Sequence, residues 1–324
     1  MSKRKHKLTI TQTILKESVA NIEATTVYSK SKEQYIRDAR KFIKFCREQY
    51  DCKTLEECQA HLQDYADWLI SHNYTPSTIH TYLVAAVKAC GNKVKLSDIN
   101  KPIRHTASYV RGRGELSSSI KQMDMYNPDH MRLYEFARRV GLRRNEIANI
   151  KGSDLVFDST TDHWCIKTIG KGKKLHLQLI DNKDIDFIRS YFDGKREDEY
   201  IFTDAEMNNH LNLHALRAMR AKQLYFDTLK KVQQDPSYRE VLEQRIIARW
   251  NYNVDKRTGK VKPFPHQKLL EGKYVLRGKT RQLAIQQNLP VSYDKTVLTY
   301  VSFMVLSHYR NSVSIESYLI TNHK

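Results

Sequence analysis

Cysteine is scarce in this sequence, and its spacing matches no common disulfide or metal framework. Only five cysteines occur among 324 residues, an odd count, and no two show Cys-x-x-Cys spacing. The sequence therefore predicts neither a disulfide-stapled secreted protein nor a zinc site, and it indicates a reducing compartment. Cys46, Cys58 and Cys90 lie on apolar faces of predicted helices, where we expect them to be core residues.

Long apolar runs are also missing, as are a secretory leader, a transit-like start, internal repeats and low-complexity tracts. Residues 2–7 are basic, but no apolar segment follows them. A membrane partner is therefore not expected. The expected location is the cytoplasm, in association with the nucleoid.

Acidic residues are too few to balance the basic ones. The chain has 55 lysines and arginines against 36 aspartates and glutamates, which gives a formal net charge of +19. Such an excess repels itself unless an anionic partner is present, and nucleic acid is the usual partner. The chain is long enough for one large or two ordinary domains.

Residues 27–99 show the spacing of a small all-helical domain. Apolar residues recur at three- and four-residue steps from Tyr35 to Cys46 and again from Cys58 to Leu69. A third helix is predicted to start after Thr75, with Pro76 in its first turn. Residues 1–26 ahead of this domain are expected to form a polar, basic arm.

Residues 100–119 are predicted to be a basic linker. They combine Pro102, two glycines and a run of serines with several cationic side chains. Such a segment either lies along a phosphate backbone or is a solvated tether.

Residues 120–324 form the predicted second domain. Its pattern is helical at first and then changes to a period of two on either side of the turn at residues 170–174. Trp164, Ile166 and Thr168 alternate before the turn, and a stripe of leucines from Leu175 to Leu179 alternates after it. This predicts a β-hairpin. Helices are predicted for most of the remainder.

Five short stretches of this domain carry residues suited to phosphate chemistry. In chain order they are Gly141-Leu142-Arg143-Arg144-Asn145-Glu146, Gly170-Lys171-Gly172-Lys173-Lys174, His214-Ala215-Leu216-Arg217, Leu306-Ser307-His308 and Tyr318.

Arg143 and Arg217 are the candidate phosphate ligands. A guanidinium is planar, stays charged and can donate two hydrogen bonds to one phosphate. Arg144 is the neighbouring alternative to Arg143. Glu146 is expected to hold the loop of Arg143, and His214 shares a helix face with Arg217.

In their order and rough spacing, these stretches resemble the motifs of the tyrosine recombinase family, the lambda-integrase-like enzymes. The resemblance covers about residues 27–324, apart from residues 227–290. It implies a mainly α fold with a small antiparallel β-hairpin or sheet, in which a helical core-binding domain that grips DNA precedes the catalytic domain.

The resemblance also implies a role for each catalytic residue. Tyr318 would be the nucleophile, and it would form a 3′-phosphotyrosyl link and free a 5′ hydroxyl. Lys171, in the turn of the hairpin, would protonate the departing 5′ oxygen. His308 would donate a hydrogen bond to the phosphate. Together with Arg143, Arg217 and His214 they form the candidate catalytic set, which requires no metal, cofactor or ATP.

Further basic residues are candidates for contact with the DNA backbone. They are Arg104, Arg111 and Arg113 in the linker, and Lys173 and Lys174 beside the hairpin turn. Lys273, Arg277, Lys279 and Arg281 form another candidate group near the end of residues 227–290.

The sequence departs from the family pattern in three places. Ser307 stands where the family has a glycine, and Tyr318 follows His308 by ten residues, one more than is usual in the family. Residues 227–290 form an insertion with a predicted helix over 238–250. The insertion either contacts DNA or a neighbouring subunit, or is a structural elaboration alone.

The sequence therefore predicts a site-specific DNA recombinase that integrates or excises a mobile element. By resemblance it would act on double-stranded DNA as a homotetramer, through a Holliday junction, with an accessory DNA-bending or directionality protein as a possible partner. The alternatives are a catalytically inactive DNA-binding protein on the same scaffold and an RNA-binding or ribosome-associated basic protein. Tyr309 is the competing nucleophile.

Overall fold

The computed structural model describes residues 9–27, 29–104, 128–170, 174–254 and 259–320. The chain divides into two compact units, Met1–His105 and Thr106–Lys324. Four of the predicted functional residues, Arg111, Arg113, Lys171 and Lys173, lie outside the described residues.

The first unit is helical because apolar residues recur along it at three- and four-residue steps. Its helices are α1 (Ile10–Thr25), α2 (Ser29–Tyr50), α3 (Leu55–Ala60), α4 (Leu62–Ser71) and α5 (Pro76–Ala89), followed by a 3-10 turn at Leu96–Asp98.

The first helix lies where the sequence analysis expected a polar arm. Thr9 and Gln12 form a capping box, in which each side chain accepts a hydrogen bond from the backbone of the other. Ile14 and Ile22 are buried, and the Asn21 amide donates to the carbonyl of Ala89 on α5 at 2.8 Å. The arm prediction is wrong for residues 10–25, because a helix needs only one narrow apolar stripe to pack.

The predicted start of α5 is confirmed. The Thr75 hydroxyl accepts a hydrogen bond from the backbone of Thr78, and Pro76 occupies the first helical position. The helix ends at Ala89, and Gly91 follows with a φ of +71°. The core between α2, α4 and α5 is rich in aromatic rings, including Phe42 and Tyr65 at a centroid distance of 5.2 Å.

The second unit combines many helices with two small antiparallel sheets. Its helices are α6 (Pro128–Val140), α7 (Arg144–Ile147), α8 (Ile185–Arg189), α9 (Asp204–Met207), α10 (Leu213–Gln234), α11 (Tyr238–Trp250), α12 (His266–Leu269), α13 (Gly278–Gln286), α14 (Lys295–Met304) and α15 (Asn311–Ser314), followed by a π-helical turn at Ile315–Leu319. Its strands are β1 (Leu155–Asp158), β2 (His163–Gly170), β3 (Lys174–Leu179), β4 (Lys273–Val275) and β5 (Ser292–Asp294), and short 3-10 turns occupy Gly152–Asp154 and Asn182–Asp184.

The predicted hairpin is confirmed. β2 and β3 pair antiparallel from Cys165 opposite Leu179 to Gly170 opposite Lys174, and β1 adds a third strand on the other side of β2. Together with the helices, this confirms the prediction of a mainly α protein with a small antiparallel sheet. No helix in the described part of the chain is both long and apolar enough to span a bilayer.

The predicted insertion at residues 227–290 is packed into the core of this unit. Its predicted helix over 238–250 is confirmed as α11, which buries Leu242 and Ile246 in the same core as α14. From the end of α11, Arg249 reaches the sheet, where it pairs with Asp158 at 3.1 Å and donates to the carbonyl of Leu177. The segment therefore helps to hold the sheet in place.

The packing of α1 leads to a stability prediction. We expect Ile14→Ala to destabilise the first unit by about 3 kcal/mol, because Ile14 is 1% exposed and truncation leaves a cavity. Ile10→Ala is the matched control on the same helix, where Ile10 is 44% exposed and a change below about 0.5 kcal/mol is expected. Denaturant unfolding measures the change in stability of both variants, and hydrogen exchange of the α1 amides shows whether the change lies in this helix. Equal effects of the two substitutions would contradict this packing.

Candidate active site

The first arginine of the candidate set is placed by a glycine turn. Gly141 ends α6 with a φ of +69°, in the left-handed region, and a Cβ there would lie 3.1 Å from the side chain of Arg220. Arg143 then occupies the position just before α7. The close packing of the turn fixes where the Arg143 side chain starts.

The carboxylate of Glu146 fixes the position of this turn. One carboxylate oxygen accepts from the backbone N–H of Arg143 at 2.8 Å, and the other accepts from its guanidinium. The same carboxylate lies 3.7 Å from Nη1 of Arg217, and Glu146 is 4% exposed. One buried carboxylate thus lies between the two candidate phosphate ligands, in the loop-holding position that the sequence predicts.

Arg217 joins two turns of the unit. It lies on α10 and is fully buried, with Nη1 donating to the carbonyl of Gly141 and Nη2 donating to the carbonyl of Leu306 at 2.7 Å. Burial, and then the charge of Arg143, lower the pKa of Arg217 from its usual value. Its Nε has no hydrogen-bond partner among the described residues.

His308 faces Arg143 across the site. Its Nε2 lies 3.4 Å from Nη2 of Arg143. Because a guanidinium can only donate, this contact makes Nε2 the acceptor and leaves the ring proton on Nδ1. Burial, together with the charges of Arg143 and Arg217, lowers the pKa of His308 to about 3, so the ring is neutral near pH 7.

Ser307 adopts the conformation that a glycine would adopt. Its φ is +50°, in the left-handed region. The backbone at this turn therefore has the geometry that glycine adopts most readily, although the residue is a serine. The strain costs about 1 kcal/mol, and the Ser307 hydroxyl is buried with no hydrogen-bond partner among the described residues.

Tyr318 lies inside this group. Its hydroxyl is 3.5 Å from Nε2 of His308, its ring centre is 5.6 Å from the guanidinium carbon of Arg217, and its ring centre is 5.2 Å from that of His214. The residue is 3% exposed. The structure thus brings together Arg143, His214, Arg217, His308 and Tyr318.

A π-helical turn carries Tyr318 into place. The backbone N–H of Ile320 donates to the carbonyl of Ile315 at 3.0 Å, a hydrogen bond over five residues instead of the four of an α-helix. A π turn therefore takes up one extra residue. It provides a physical account of how Tyr318 reaches His308 although the separation in sequence is ten residues.

A groove opens beside the cationic residues. It is a cavity of about 630 Å³ lined by residues that include Arg143, Asn212, His214 and Gly170. Arg217 and Tyr318 do not line it. An anion that enters the groove therefore meets Arg143, Arg144 and His214, and not Arg217 or Tyr318.

Arg144 and Tyr309, the alternatives to Arg143 and Tyr318, make other contacts, although Arg144 also lines the groove. Arg144 donates to the carbonyls of Met207 and Leu211 at 2.8 Å and 2.7 Å, so it holds a loop. The ring of Tyr309 packs against Phe303 and Trp250 at 4.9 Å and 5.5 Å between centroids.

The candidate DNA-binding residues are only partly described. Arg104 is exposed in the first unit. Lys174 begins β3, with its backbone opposite Gly170. The remaining three candidates, Arg111, Arg113 and Lys173, fall outside the described residues, as does Lys171, which follows Gly170 directly.

The sequence does not predict a buried polar pair on β3. His176 and Gln178 on β3 are 4% and 0% exposed, and Nε2 of His176 lies 2.9 Å from Oε1 of Gln178. Gln178 in turn donates to the carbonyl of Val140, next to the Gly141 turn. Burial lowers the pKa of His176 well below its usual value. The expected leucine stripe of this strand is only partly buried, since Leu175 is 39% exposed.

Comparison with known proteins gives only distant structural matches. No family model and no curated protein matches the chain. Several solved structures match, among them the following two. One is the XerA recombinase, with 14% identity over 65% of this chain and 84% of that chain and a TM-score of 0.23. The other is the integrase from mycobacterium phage Brujita, with 16% identity over 72% of this chain and 83% of that chain and a TM-score of 0.24. Because these identities and TM-scores are low, the function has to be inferred from the side chains of the site.

The turn at Ser307 yields a stability prediction. We expect Ser307→Gly to stabilise the protein by about 1 kcal/mol, since it removes left-handed strain and a buried unpaired hydroxyl, less the added freedom of glycine in the unfolded chain. Ser312→Gly is the matched control. Ser312 lies in α15, where glycine should destabilise by about 0.5 kcal/mol. Denaturant unfolding measures both, and a loss of stability in Ser307→Gly would show that the serine is not strained.

The neutral state of His308 yields a pH prediction. The unfolded chain takes up a proton at this residue near pH 6.5, whereas the folded chain does so only near pH 3. The unfolded state therefore binds more protons in this window, so this group lowers the stability as the pH falls from 7 towards 4. We expect His308→Gln to lose less stability over that range than the unsubstituted protein, as measured by urea unfolding at several pH values. Parallel stability curves for the two proteins would contradict the burial of a neutral ring.

Proposed function

We propose that this protein is a site-specific DNA recombinase that cuts and rejoins DNA through a covalent link to Tyr318. The proposal rests on one observation: the Tyr318 hydroxyl lies 3.5 Å from His308, in a group that also contains Arg143, Arg217 and His214. The motif resemblance and the net charge of +19 add support.

The charge of the group suits a phosphodiester. Arg143 and Arg217 carry two positive charges, and Glu146 supplies one negative charge between them. A phosphate next to them would bring the anion that this site lacks. It would also offset the arginine charges that, after burial, lower the pKa of His308, so we expect the imidazole to gain a proton more readily once DNA is bound.

The proposed reaction exchanges one phosphate ester for another. The Tyr318 oxygen forms a bond to phosphorus while the bond from phosphorus to the 5′ oxygen breaks. The phenol proton passes to an acceptor, for which Nε2 of His308 is the nearest candidate, and the arginines stabilise the charge on the non-bridging oxygens. Attack by a 5′ hydroxyl reverses these steps and releases Tyr318, so rejoining needs no ATP.

Lys171 is the proposed acid that protonates the departing 5′ oxygen. The support for this role comes from its neighbour, because Gly170 ends β2 and lines the same groove as Arg143 and His214.

Cleavage requires the site to open. Tyr318 is 3% exposed and Arg217 is fully buried, so a phosphate cannot reach both of them in this conformation. We propose that DNA enters by the groove at Arg143 and His214, and that the segment carrying Tyr318 moves aside to admit the phosphate.

The proposal also includes a DNA substrate, an oligomeric state and a product. The substrate would be double-stranded DNA, held by the first unit, by the basic segment that includes Arg104, Arg111 and Arg113, and by Lys173 and Lys174 beside the hairpin turn. Strand exchange between two sites calls for a homotetramer and a Holliday junction, and an accessory DNA-bending or directionality protein would assist. The expected product is integration or excision of a mobile element.

The decisive prediction concerns Tyr318. A nicked duplex taken from the DNA that flanks the coding region should form a protease-sensitive covalent adduct with the protein. Tyr318→Phe should lower the yield of this adduct by at least roughly a thousandfold, because it removes the attacking oxygen. Denaturing gel electrophoresis of labelled DNA measures the yield.

Tyr309→Phe is the matched control, since Tyr309 lies nine residues before Tyr318 and its ring packs in the core against Phe303. It should keep the adduct. Tight binding of DNA without any adduct would instead support a DNA-binding protein that does not cleave. An adduct that survives Tyr318→Phe but not Tyr309→Phe would show that the nucleophile is misassigned.

A further inference from the structure

Three cysteines of the first unit bring their sulfur atoms together in the buried core. The Sγ atoms of Cys46, Cys52 and Cys58 lie within 4.8 Å of one another, and the residues are 0%, 2% and 0% exposed. Among the described residues, no other group of three or more histidine, cysteine or carboxylate ligand atoms converges in this way.

The fold produces this convergence from three separate elements. Cys46 lies in the last turns of α2, and Cys58 lies on α3. Between them, Asp51 has a φ of +49°, which turns the chain back over the end of α2. The backbone N–H of Cys52 then donates to the carbonyl of Cys46 at 3.4 Å, and the Cys46 thiol faces the carbonyl of Cys58 at 3.8 Å.

We propose that Cys46, Cys52 and Cys58 bind one soft metal ion, of the kind represented by Zn²⁺ or Cu⁺. Thiolates are the ligands that such ions prefer. With zinc–sulfur bonds of about 2.3 Å, sulfur atoms on one ion lie about 3.8 Å apart. The three sulfurs therefore need to close in by no more than about 1 Å.

Metal binding would leave a negative charge next to one cationic side chain. Binding breaks three S–H bonds, releases three protons and forms three sulfur–metal bonds, so a divalent ion leaves a net charge of −1. The guanidinium of Arg47 lies alongside, donating to the carbonyl of Cys52 at 2.8 Å and to the carboxylate of Asp51 at 2.8 Å. Because Arg47 also pairs with Asp51, it offsets this charge only in part, and it does not compete for the sulfur atoms.

Ordinary core packing is the competing explanation, because a buried thiol behaves as a small apolar group. Cys90 is an example of a cysteine that is only packed in the same core. It is 2% exposed and belongs to the same hydrophobic cluster, yet its sulfur is not part of the group. Burial of cysteines in this unit does not by itself gather their sulfurs.

A cadmium titration tests the proposal on the full chain, reduced and stripped of metal. Cd²⁺ bound by thiolates gives an ultraviolet charge-transfer band, which we expect to saturate at one equivalent and to disappear when Zn²⁺ is added in excess. Cys46→Ser, Cys52→Ser and Cys58→Ser should each weaken Cd²⁺ binding by roughly tenfold or more. Cys90→Ser is the matched control and should bind as the unsubstituted protein does.

Thermal unfolding of the unsubstituted protein provides a readout that survives if the serine variants fail to fold. Zn²⁺ should raise the unfolding temperature, and a chelator should reverse the change. Absence of the band and of the temperature shift would overturn the proposal in favour of plain packing. A band that persists in all three variants, or one that Cys90→Ser removes, would overturn it as well.

Discussion

The second unit depends on one buried guanidinium. Arg217 donates to the carbonyl of Gly141 and to the carbonyl of Leu306, so a single side chain ties the turn before Arg143 to the turn before His308. A fully buried charge is costly unless it is paired and hydrogen-bonded. Arg217 meets that requirement with two backbone carbonyls and with Glu146 at 3.7 Å. The relative position of Arg143 and His308 follows from these bonds, and the site could not keep its shape without them.

The sequence predicts much of this fold because its local signals agree with the final structure. Thr75 and Pro76 mark the start of α5, and Gly141 marks the end of α6, since capping and left-handed turns are set by nearby residues. The alternation on either side of residues 170–174 likewise predicts the β2–β3 hairpin. At the site, the resemblance selects Arg143 over Arg144 because of the glycine and leucine before it, and Nη2 of Arg143 lies 3.4 Å from Nε2 of His308.

Other features could not be predicted, because they arise only when distant segments meet. α1 has a polar sequence, and its buried face becomes useful only against α2 and α5. His176 and Gln178 alternate with leucines, so the sequence assigns them to the exposed face, whereas the sheet is covered on both sides at that point. The cysteines are too far apart in sequence for a recognised metal motif, and only the left-handed Asp51 brings Cys52 back to Cys46.

The segment at residues 227–290 shows how an apparent insertion can become part of the site's support. Arg249 extends from α11 and holds both Asp158 on β1 and the carbonyl of Leu177 on β3. β3 also carries Gln178, which donates to the carbonyl of Val140 beside the Gly141 turn. Contacts therefore run without a break from α11, through the sheet, to the turn that places Arg143. Removal of the segment would expose the core of α14 and leave Asp158 without its buried cation.

The burial of Tyr318 sets a free-energy cost that the proposed reaction has to overcome. In this conformation the aromatic ring shields the guanidinium of Arg217, and the hydroxyl contacts His308. Moving the ring aside exposes apolar surface, at a cost of about 2 kcal/mol. Each hydrogen bond from an arginine to a phosphate oxygen contributes a similar amount, about 1.5–3 kcal/mol. In the proposed reaction, hydrogen bonds from the arginines to DNA would therefore offset the cost of opening. In the proposed reaction, burial would keep Tyr318 from reacting until a phosphate takes the place of its ring beside the arginines.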